Sequence, residues 1–350
     1  MHALADSDSH LPGSPLIATF DITYRCNLNC VMCHAPAWAK AHGSEPELSR
    51  DKIISTARRL TKEHGIGCFR FLGGEPRLRE DLPDIIREVS SFAATVTTTN
   101  GLLLDKDMCA TLVDAGLGVL NVSLDGPREN CDALRGEGTY ERVVQGIRTF
   151  LYVRRERGSS KPAVSVGNIV TKLNLRRLGE VASFIRSLGA DWDFWPIHHL
   201  YEKARETHWN GDSCGFEHPA PAQAKQLLLD EAEQEIYWAE YFRALRRYTR
   251  PGSARMAYGW LGPIKRRVSR FRSRGYRDCL RIQNHLIIGP RGEVFPCEFL
   301  RRVPVGNVRG GASGLWDTPE RRELRAAVGR GDLAICRECD RRSLYRDRVM

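Results

Sequence analysis

Short apolar, β-branched runs alternate with longer stretches of helical period from Leu16 to about Ile197. Each short run predicts a strand and each longer stretch predicts a helix, so the pattern indicates a repeated βα unit. The predicted strands are Ile17 to Tyr24, Gly67 to Leu72, Ala94 to Thr98, Val119 to Leu124, Ala163 to Thr171 and Asp191 to Ile197. Six such units with right-handed crossovers predict an α/β fold, a parallel sheet curled into a partial (β/α)6 TIM barrel.

Helix starts are predicted near Ser49, Asp81, Asp105, Tyr140 and Asn174. The first three carry side-chain oxygens that can accept hydrogen bonds from the free N–H groups of a first helical turn. In a barrel of this kind, the loops at the C-terminal ends of the strands surround the active site. The loops after the strands are therefore where functional residues are expected.

Three cysteines, Cys26, Cys30 and Cys33, lie in the loop after the first predicted strand. Three thiolates at this spacing can converge on one cubic iron–sulfur cluster and leave its fourth iron open, whereas a tetrahedral zinc site needs a fourth ligand. Spacing alone leaves two alternatives, a zinc knuckle and three incidental cysteines.

The next loops carry glycines and polar side chains that are suited to ligand contact. The paired glycines of the turn Gly73, Gly74, Glu75 and Pro76 let the backbone approach a ligand, and the glutamate offers an acceptor to a cationic group. Later along the chain, polar side chains that could hold a ribose or a carboxylate lie at the ends of strands three and four and in strand five: Asn100, Ser123, Asp125 and Asn168.

A second set of cysteines closes the chain: Cys279, Cys297, Cys336 and Cys339. Between the first two, a hairpin is predicted from His285 to Ile288 and from Glu293 to Phe295. Four thiols ending in Cys-x2-Cys can bind zinc or a 4Fe-4S cluster, and spacing does not decide between them.

The Cys-x3-Cys-x2-Cys loop, the Gly73 to Pro76 turn one βα unit later and the closing cysteines resemble the radical S-adenosylmethionine (SAM) superfamily with a shortened SPASM, or twitch, extension. The resemblance implies a 4Fe-4S cluster whose open iron binds SAM, held by Cys26, Cys30 and Cys33. It implies one auxiliary 4Fe-4S cluster, held by Cys279, Cys297, Cys336 and Cys339. It also implies SAM contacts from Gly73, Gly74, Glu75, Pro76, Asn100, Ser123, Asp125 and Asn168.

The predicted domains are a tail at 1–15, the barrel at 16–199, a basic helical insertion at 200–277 and the cysteine-rich extension at 278–350. The insertion carries a predicted helix from Pro221 to Tyr248. Between Arg243 and Arg277 it holds many basic residues, interleaved aromatics and no acid, which favours a phosphate group or an anionic membrane surface as partner. The alternative is a solvated helical hairpin over the barrel mouth. Sequence-specific nucleic acid is not expected.

The start of the chain has neither the basic end nor the apolar core of a secretion signal, and no run approaches the roughly 20 apolar residues of a membrane span. The eleven cysteines are therefore interpreted as reduced thiols of a cytoplasmic protein, with peripheral membrane attachment as the alternative. The net charge of +10 favours anionic partners.

The resemblance implies an enzyme that takes an electron from a flavodoxin or ferredoxin, cleaves SAM to a 5′-deoxyadenosyl radical and abstracts a substrate hydrogen. The substrate radical is then expected to undergo oxidation or epimerisation. For epimerisation the candidate hydrogen donor is Cys214, which belongs to neither set of cluster cysteines. The expected substrate is a small polar, phosphorylated or lipid-linked molecule, with a peptide as the alternative. A non-catalytic iron–sulfur electron carrier is the alternative of another class, but a carrier would not need the Gly73 to Pro76 turn.

Overall fold

The computed structural model describes residues 17–33, 35, 46–197, 206–209, 211–214, 222–248, 279, 282, 285–311 and 314–339. The predicted tail at 1–15 and the basic residues from 251 to 277 lie outside these ranges. The predicted domain borders remain predictions.

Eight strands form one sheet in the order β10-β9-β1-β2-β3-β4-β5-β6. These strands are β1 Ile17–Thr23, β2 Cys68–Gly73, β3 Ala94–Thr99, β4 Val119–Ser123, β5 Ala163–Val170, β6 Asp191–Pro196, β9 His285–Ile288 and β10 Val294–Phe295. Strands β1 to β6 are parallel, and each pairs with the next along the chain. The sheet keeps two edges, β6 and β10, so the partial barrel predicted from the sequence is confirmed.

The predicted C-terminal hairpin is present, but its place in the sheet was not predicted. Strand β9 pairs in parallel with β1 and antiparallel with β10, so the hairpin extends the barrel sheet beyond its first strand. Thr19 Oγ1 lies 2.7 Å from the ring Nε2 of His285 and links the two strands through their side chains. The cysteine-rich extension is thus built directly onto the barrel.

Helices cover the outer face of the barrel and continue into the later segments. They are α1 Arg50–His64, α2 Leu82–Ser90, α3 Lys106–Asp114, α4 Arg128–Arg135, α5 Thr139–Glu156, α6 Leu178–Ser187, α7 Ala222–Gln226, α8 Glu231–Tyr248, α9 Pro319–Arg330 and α10 Ala334–Glu338. A separate two-stranded hairpin is formed by β7 His208–Trp209 and β8 Asp212–Ser213. No described helix is both long and apolar enough to cross a bilayer.

Two of the three predicted helix caps are present. Ser49 accepts from Lys52 N–H at 3.2 Å, and Asp105 caps α3 in the same way. Asp81 makes no capping bond, so that prediction was wrong. Its carboxylate instead accepts two hydrogen bonds from the guanidinium of Arg79, at 2.9 and 2.6 Å, and such a bidentate charged pair outcompetes a single backbone N–H.

The helix predicted from Pro221 to Tyr248 is divided into α7 and α8. Asp230 lies between them and accepts from Glu233 N–H at 2.8 Å, while the Glu233 carboxylate accepts from Asp230 N–H at 2.9 Å. This reciprocal pair is a capping box, which starts a new helix. Helix α4 was not predicted, because its eight residues carry few apolar positions.

The outer face of the strands is mainly apolar, and the inner face carries several polar side chains. Ala18, Phe20 and Ile22 of β1 are buried in the core under the helices. Because side chains alternate along a strand, Thr19 and Asp21 point to the opposite face, into the barrel. The strand register places Arg70, Thr98 and Asn121 on that same inner face. Polar side chains from four strands therefore face the barrel interior, together with apolar ones such as Val96 and Val119.

Candidate active site at the rim of the barrel

The cysteine loop follows β1 at the C-terminal rim of the sheet, as the sequence predicted. Cys33 N–H donates to Cys30 O at 3.0 Å, which folds this part of the loop into a turn. Val31 N–H donates to Leu134 O at 3.0 Å and ties the loop to the end of α4. Ala35 N–H lies 3.4 Å from Cys33 Sγ. The three thiols are thus held in one short, anchored loop.

Burial raises the pKa of all three thiols, that of Cys30 to about 12. The guanidinium of Arg135 lowers the pKa of Cys30, whereas a negative charge on Cys33 or Cys26 would raise it further. Loss of the protons from all three thiols in this buried loop is therefore unfavourable unless a cationic centre lies among them.

No cage of three His, Cys, Asp or Glu side chains arranged around one metal ion is found in the part of the chain that the structure describes. The fit to a cluster therefore depends on the donor set itself. Three thiols in one anchored loop, electrostatically coupled and beside a guanidinium, are the ligands that a three-cysteine 4Fe-4S site requires.

The glycines of the turn after β2 are required by contact with the cysteine loop. Gly73 has φ +139°, and a Cβ there would lie 2.1 Å from Thr23 O. A Cβ on Gly74 would lie 2.2 Å from Arg25 O. Gly74 N–H donates to Thr23 O at 2.8 Å. The two glycines thus let this turn dock against the backbone that leads into the cysteine loop.

Glu75 is fully buried and its carboxylate is occupied within the protein. It accepts from Thr99 Oγ1 at 2.8 Å, from Asn100 N–H at 2.7 Å and from Arg77 N–H at 3.0 Å. Burial raises the pKa of Glu75, and these hydrogen bonds act in the opposite direction. The carboxylate therefore fixes the rim, and a direct contact with SAM remains a prediction. Pro76 begins the short 3-10 turn Pro76–Leu78 beside it.

Asn100 connects β3 to the cysteine loop. Its Nδ2 donates to Asn27 Oδ1 at 2.7 Å, and its Oδ1 accepts from Leu102 N–H at 3.1 Å. Ser123 ends β4 on the inner face of the barrel and is half-buried. The structure thus brings Asn100 to the cysteine loop and leaves Ser123 facing the interior, and the SAM contacts of both residues remain predictions.

Asp125 is fully buried and makes two hydrogen bonds through its carboxylate. Its Oδ1 accepts from Ile169 N–H at 2.7 Å, and its Oδ2 accepts from Arg135 Nε at 2.6 Å. Arg135 Nη1 lies 3.9 Å from Cys30 Sγ. Sequence reasoning missed Arg135, because nothing in the pattern linked the end of α4 to the cysteine loop.

Asn168 lies on the outer face of β5 and is fully buried. Its Nδ2 donates to Leu124 O at 2.8 Å, and its Oδ1 accepts from Asn174 Nδ2 at 3.3 Å. Asn174 also donates to the carbonyl of Asp125 at 3.1 Å. In this network Asn168 fastens β5 to the loop after β4, and its SAM contact remains a prediction.

The four C-terminal cysteines are half-buried and pack against the hydrophobic core. Cys336 lies in the short helix α10, where its N–H donates to Leu333 O at 3.0 Å, and Leu300 N–H donates to Cys297 O at 3.3 Å, which places Cys297 in a turn. The auxiliary cluster on Cys279, Cys297, Cys336 and Cys339 remains a prediction.

Cys214 is fully buried in the hydrophobic core, although its neighbourhood in sequence is polar. Its N–H donates to Thr207 O at 2.8 Å, and its carbonyl accepts from Arg302 N–H at 3.3 Å. Thr207 Oγ1 in turn accepts from Ile335 N–H at 3.2 Å. The β7–β8 hairpin is thereby fastened to the cysteine-rich extension.

Comparison with known families matches both halves of this arrangement. Residues 20–182 match the family model of the radical SAM superfamily, and residues 279–340 match SPASM, an iron–sulfur cluster-binding domain.

Among curated relatives, the probable GTP 3′,8-cyclase of Archaeoglobus fulgidus is 37% identical over 163 residues, which is 46% of this chain and 48% of the cyclase. The Fe-coproporphyrin III synthase of Methanosarcina barkeri is 38% identical over 135 residues, 37% of this chain and 33% of the synthase. The chain thus spans half or less of the length of these relatives.

Two solved structures share the fold over most of the chain. AnSMEcpe with bound AdoMet and the Cp18Cys peptide has a TM-score of 0.61 at 17% identity, covering 90% of this chain and 83% of that one. Streptococcus suis SuiB bound to the precursor peptide SuiA has a TM-score of 0.64 at 16% identity, covering 90% and 67%. At these identities the likeness concerns the fold alone.

Proposed function

This chain belongs to the radical SAM superfamily and carries a C-terminal SPASM domain, and from that premise we propose that it cleaves SAM reductively and removes a hydrogen atom from a small polar substrate inside the barrel. The two domains imply 4Fe-4S clusters and SAM as cofactors. When bound, these cofactors supply the radical that takes the hydrogen.

The thiols of Cys26, Cys30 and Cys33 hold the first cluster in this proposal. The loop that carries them is anchored at both ends, by the turn at Gly74 and by the Val31 to Leu134 hydrogen bond. This anchoring would hold a cluster bound by the three thiols at the rim where β1 ends. The four C-terminal cysteines hold the auxiliary cluster.

The polar inner face of the barrel is the observation that carries the substrate class. Asn121 Nδ2 donates to Thr98 Oγ1 at 3.3 Å across two inner strands. Asp21 and Arg301 form a largely buried ion pair at 2.6 Å on the same side. A ligand in this space meets hydrogen-bonding and charged groups on several strands, which favours a polar molecule over an apolar one.

Arg70 favours an anionic group on that substrate. It is half-buried on the inner face beside Thr19, and its Nε is shielded from solvent without a hydrogen-bond partner in the described part of the chain. A guanidinium binds phosphate oxygens through its fork of N–H donors. The relatives named as probable GTP 3′,8-cyclases, whose name specifies a phosphorylated substrate, support the same class.

A peptide is the second candidate substrate. Two proteins that share the fold, anSMEcpe and SuiB, are described with a bound peptide. A panel of nucleotides, sugar phosphates and synthetic peptides would separate the candidates by their stimulation of 5′-deoxyadenosine formation. Stimulation by phosphorylated compounds that is lost in Arg70→Met supports the first candidate, and stimulation by peptides alone supports the second.

Oxidation is favoured over epimerisation by the position of Cys214. A thiol that returns hydrogen to a substrate radical must reach it, whereas Cys214 is fully buried in apolar packing. Turnover in D2O tests this outcome. Oxidation leaves no solvent deuterium at the reacting carbon, and one deuterium per turnover that disappears in Cys214→Ala would establish epimerisation.

Anaerobic reconstitution with iron, sulfide and dithionite tests the enzyme class itself. The wild-type chain should form 5′-deoxyadenosine from SAM, and Cys30→Ala should form none. Intact clusters without SAM cleavage would instead identify an iron–sulfur electron carrier. A flavodoxin or ferredoxin is the proposed donor in place of dithionite. The phosphate or membrane partner of the basic insertion depends on residues outside the described ranges.

A further inference from the structure

Arg135 is the side chain through which α4 reaches the cysteine loop. It is the last residue of the helix, and its side chain is 10% exposed. Nη1 lies 3.9 Å from Cys30 Sγ, within hydrogen-bonding range for sulfur. The neighbouring residues are also joined, since Val31 N–H of the loop donates to the carbonyl of Leu134 in α4. Helix α4 therefore positions both the backbone and the sulfur of the loop.

Asp125 holds Arg135 in that orientation. Its carboxylate binds Arg135 Nε at 2.6 Å and is itself fixed by Ile169 N–H at 2.7 Å. The Asp125 carboxylate is fully buried, and the backbone carbonyl of Asp125 accepts a hydrogen bond from Asn174 Nδ2 at 3.1 Å. A long arginine side chain would otherwise be free to rotate. The anchored pair keeps the guanidinium on the side of the loop where Cys30 lies.

Hydrogen bonds to ligand sulfurs and nearby charge are among the factors that set the reduction potential of an iron–sulfur cluster. Reduction adds one electron, and hence one negative charge, to the cluster. A neighbouring guanidinium stabilises the reduced state more than the oxidised state. The negative charge of Asp125 offsets part of this effect, but Asp125 binds the guanidinium at Nε, whereas Nη1 is the nitrogen that lies 3.9 Å from Cys30 Sγ.

We propose that Arg135, positioned by Asp125, raises the reduction potential of the cluster held by Cys30 and so lets a low-potential one-electron donor reduce it. This inference rests on the proposed function, since it requires a cluster on Cys26, Cys30 and Cys33. No bond forms or breaks in the step, in which one electron passes from the reductant to the cluster.

A redox titration followed by electron paramagnetic resonance tests the proposal, on protein reconstituted without SAM. The signal is recorded in a background lacking the auxiliary ligands, Cys336→Ala with Cys339→Ala, so that one cluster is observed. In Arg135→Met, the equilibrium constant for reduction should fall tenfold or more, which is about 59 mV for a one-electron couple.

Arg128→Met is the matched control. Arg128 lies in the same helix and carries the same charge, but its side chain is 60% exposed and pairs with Glu141. The reduction potential of the cluster in Arg128→Met should match that in the parent protein. Arg135→Lys retains the charge and should lie between parent and Arg135→Met, so it carries the test if the methionine variant fails to hold a cluster.

The results distinguish this inference from the proposed function. Potentials that are equal in Arg135→Met, Arg135→Lys and the parent would overturn the inference while leaving the proposed function intact. Failure of the parent protein to hold an EPR-active cluster would overturn the proposed function first. A fall in potential in Arg128→Met as large as in Arg135→Met would reduce the effect to net charge and would also overturn the inference.

Discussion

Gly74→Ala should separate the barrel rim from the cysteine loop. The added Cβ would lie 2.2 Å from the carbonyl oxygen of Arg25 and 2.6 Å from that of Tyr24. These are backbone atoms that cannot rotate away. The hydrogen bonds from Gly74 N–H to Thr23 O and from Glu75 N–H to Arg25 O, both 2.8 Å, would lengthen or break.

The magnitude follows from these contacts. Each lost hydrogen bond costs about 1 kcal/mol, and overpacking of a dense site costs about 1–3 kcal/mol. The expected loss in free energy of unfolding is therefore about 3–5 kcal/mol. Urea denaturation of the metal-free protein, followed by circular dichroism, measures it directly. Iron retention after reconstitution should fall in parallel, because the same turn anchors the cysteine loop.

Gly67→Ala is the matched control, since Gly67 directly precedes β2 and a Cβ there meets no atom within 4 Å. Its free energy of unfolding should stay within about 1 kcal/mol of wild type, because glycine to alanine at an open site with an ordinary φ acts mainly on the unfolded chain. If Gly74→Ala were as stable as Gly67→Ala, the docking of the turn on the cysteine loop would be refuted.

Three further measurements probe other parts of the structure. Two 4Fe-4S clusters correspond to about eight irons per chain, which should fall to about four in the double variant Cys336→Ala, Cys339→Ala; zinc in the wild-type site would contradict the auxiliary cluster. Burial lowers the pKa of His64 from 6.5, so stability should be full above pH 6.5, decline as pH falls through that value and level off below the folded-state pKa; urea titrations should show this decline vanish in His64→Gln. In the ion pair of Asp21 with Arg301, either Asp21→Asn or Arg301→Met alone should cost about 3–5 kcal/mol, and a double variant whose cost equals the sum would show that the pair is not coupled.

The six barrel strands could be predicted because each alternates or runs apolar over a short stretch, a signal that is local in sequence. The C-terminal hairpin was predicted for the same reason. Its pairing with β1 was not, because that contact joins Ile17 to His285 across the whole chain. Local patterns carry no information about such a partner. The cap predicted at Asp81 is absent for a related reason. Arg79 binds the Asp81 carboxylate from a position that is held by the distant carbonyls of Ile22 and Leu48.

The site could be predicted as a set of loops but not as a set of bonds. Sequence reasoning identified Glu75 and Asp125 as polar residues in the right loops, and the structure places both at the rim. It could not show that their carboxylates are already hydrogen-bonded inside the protein. Nor could it single out Arg135, whose importance comes from its distance to Cys30.

These occupied carboxylates give the rim internal supports. Glu75 and Asp125 are fully buried, and each joins a rim loop to a neighbouring strand or helix. The two carboxylates therefore hold Thr99 and Asn100, and Arg135 and Ile169, in place, and contact of a ligand with the half-buried Ser123 remains a prediction. Substitution of either carboxylate should consequently lower the stability of the metal-free protein, before any cofactor is added. A residue that only touched the ligand would leave that stability unchanged, so unfolding of the metal-free variants distinguishes the two roles.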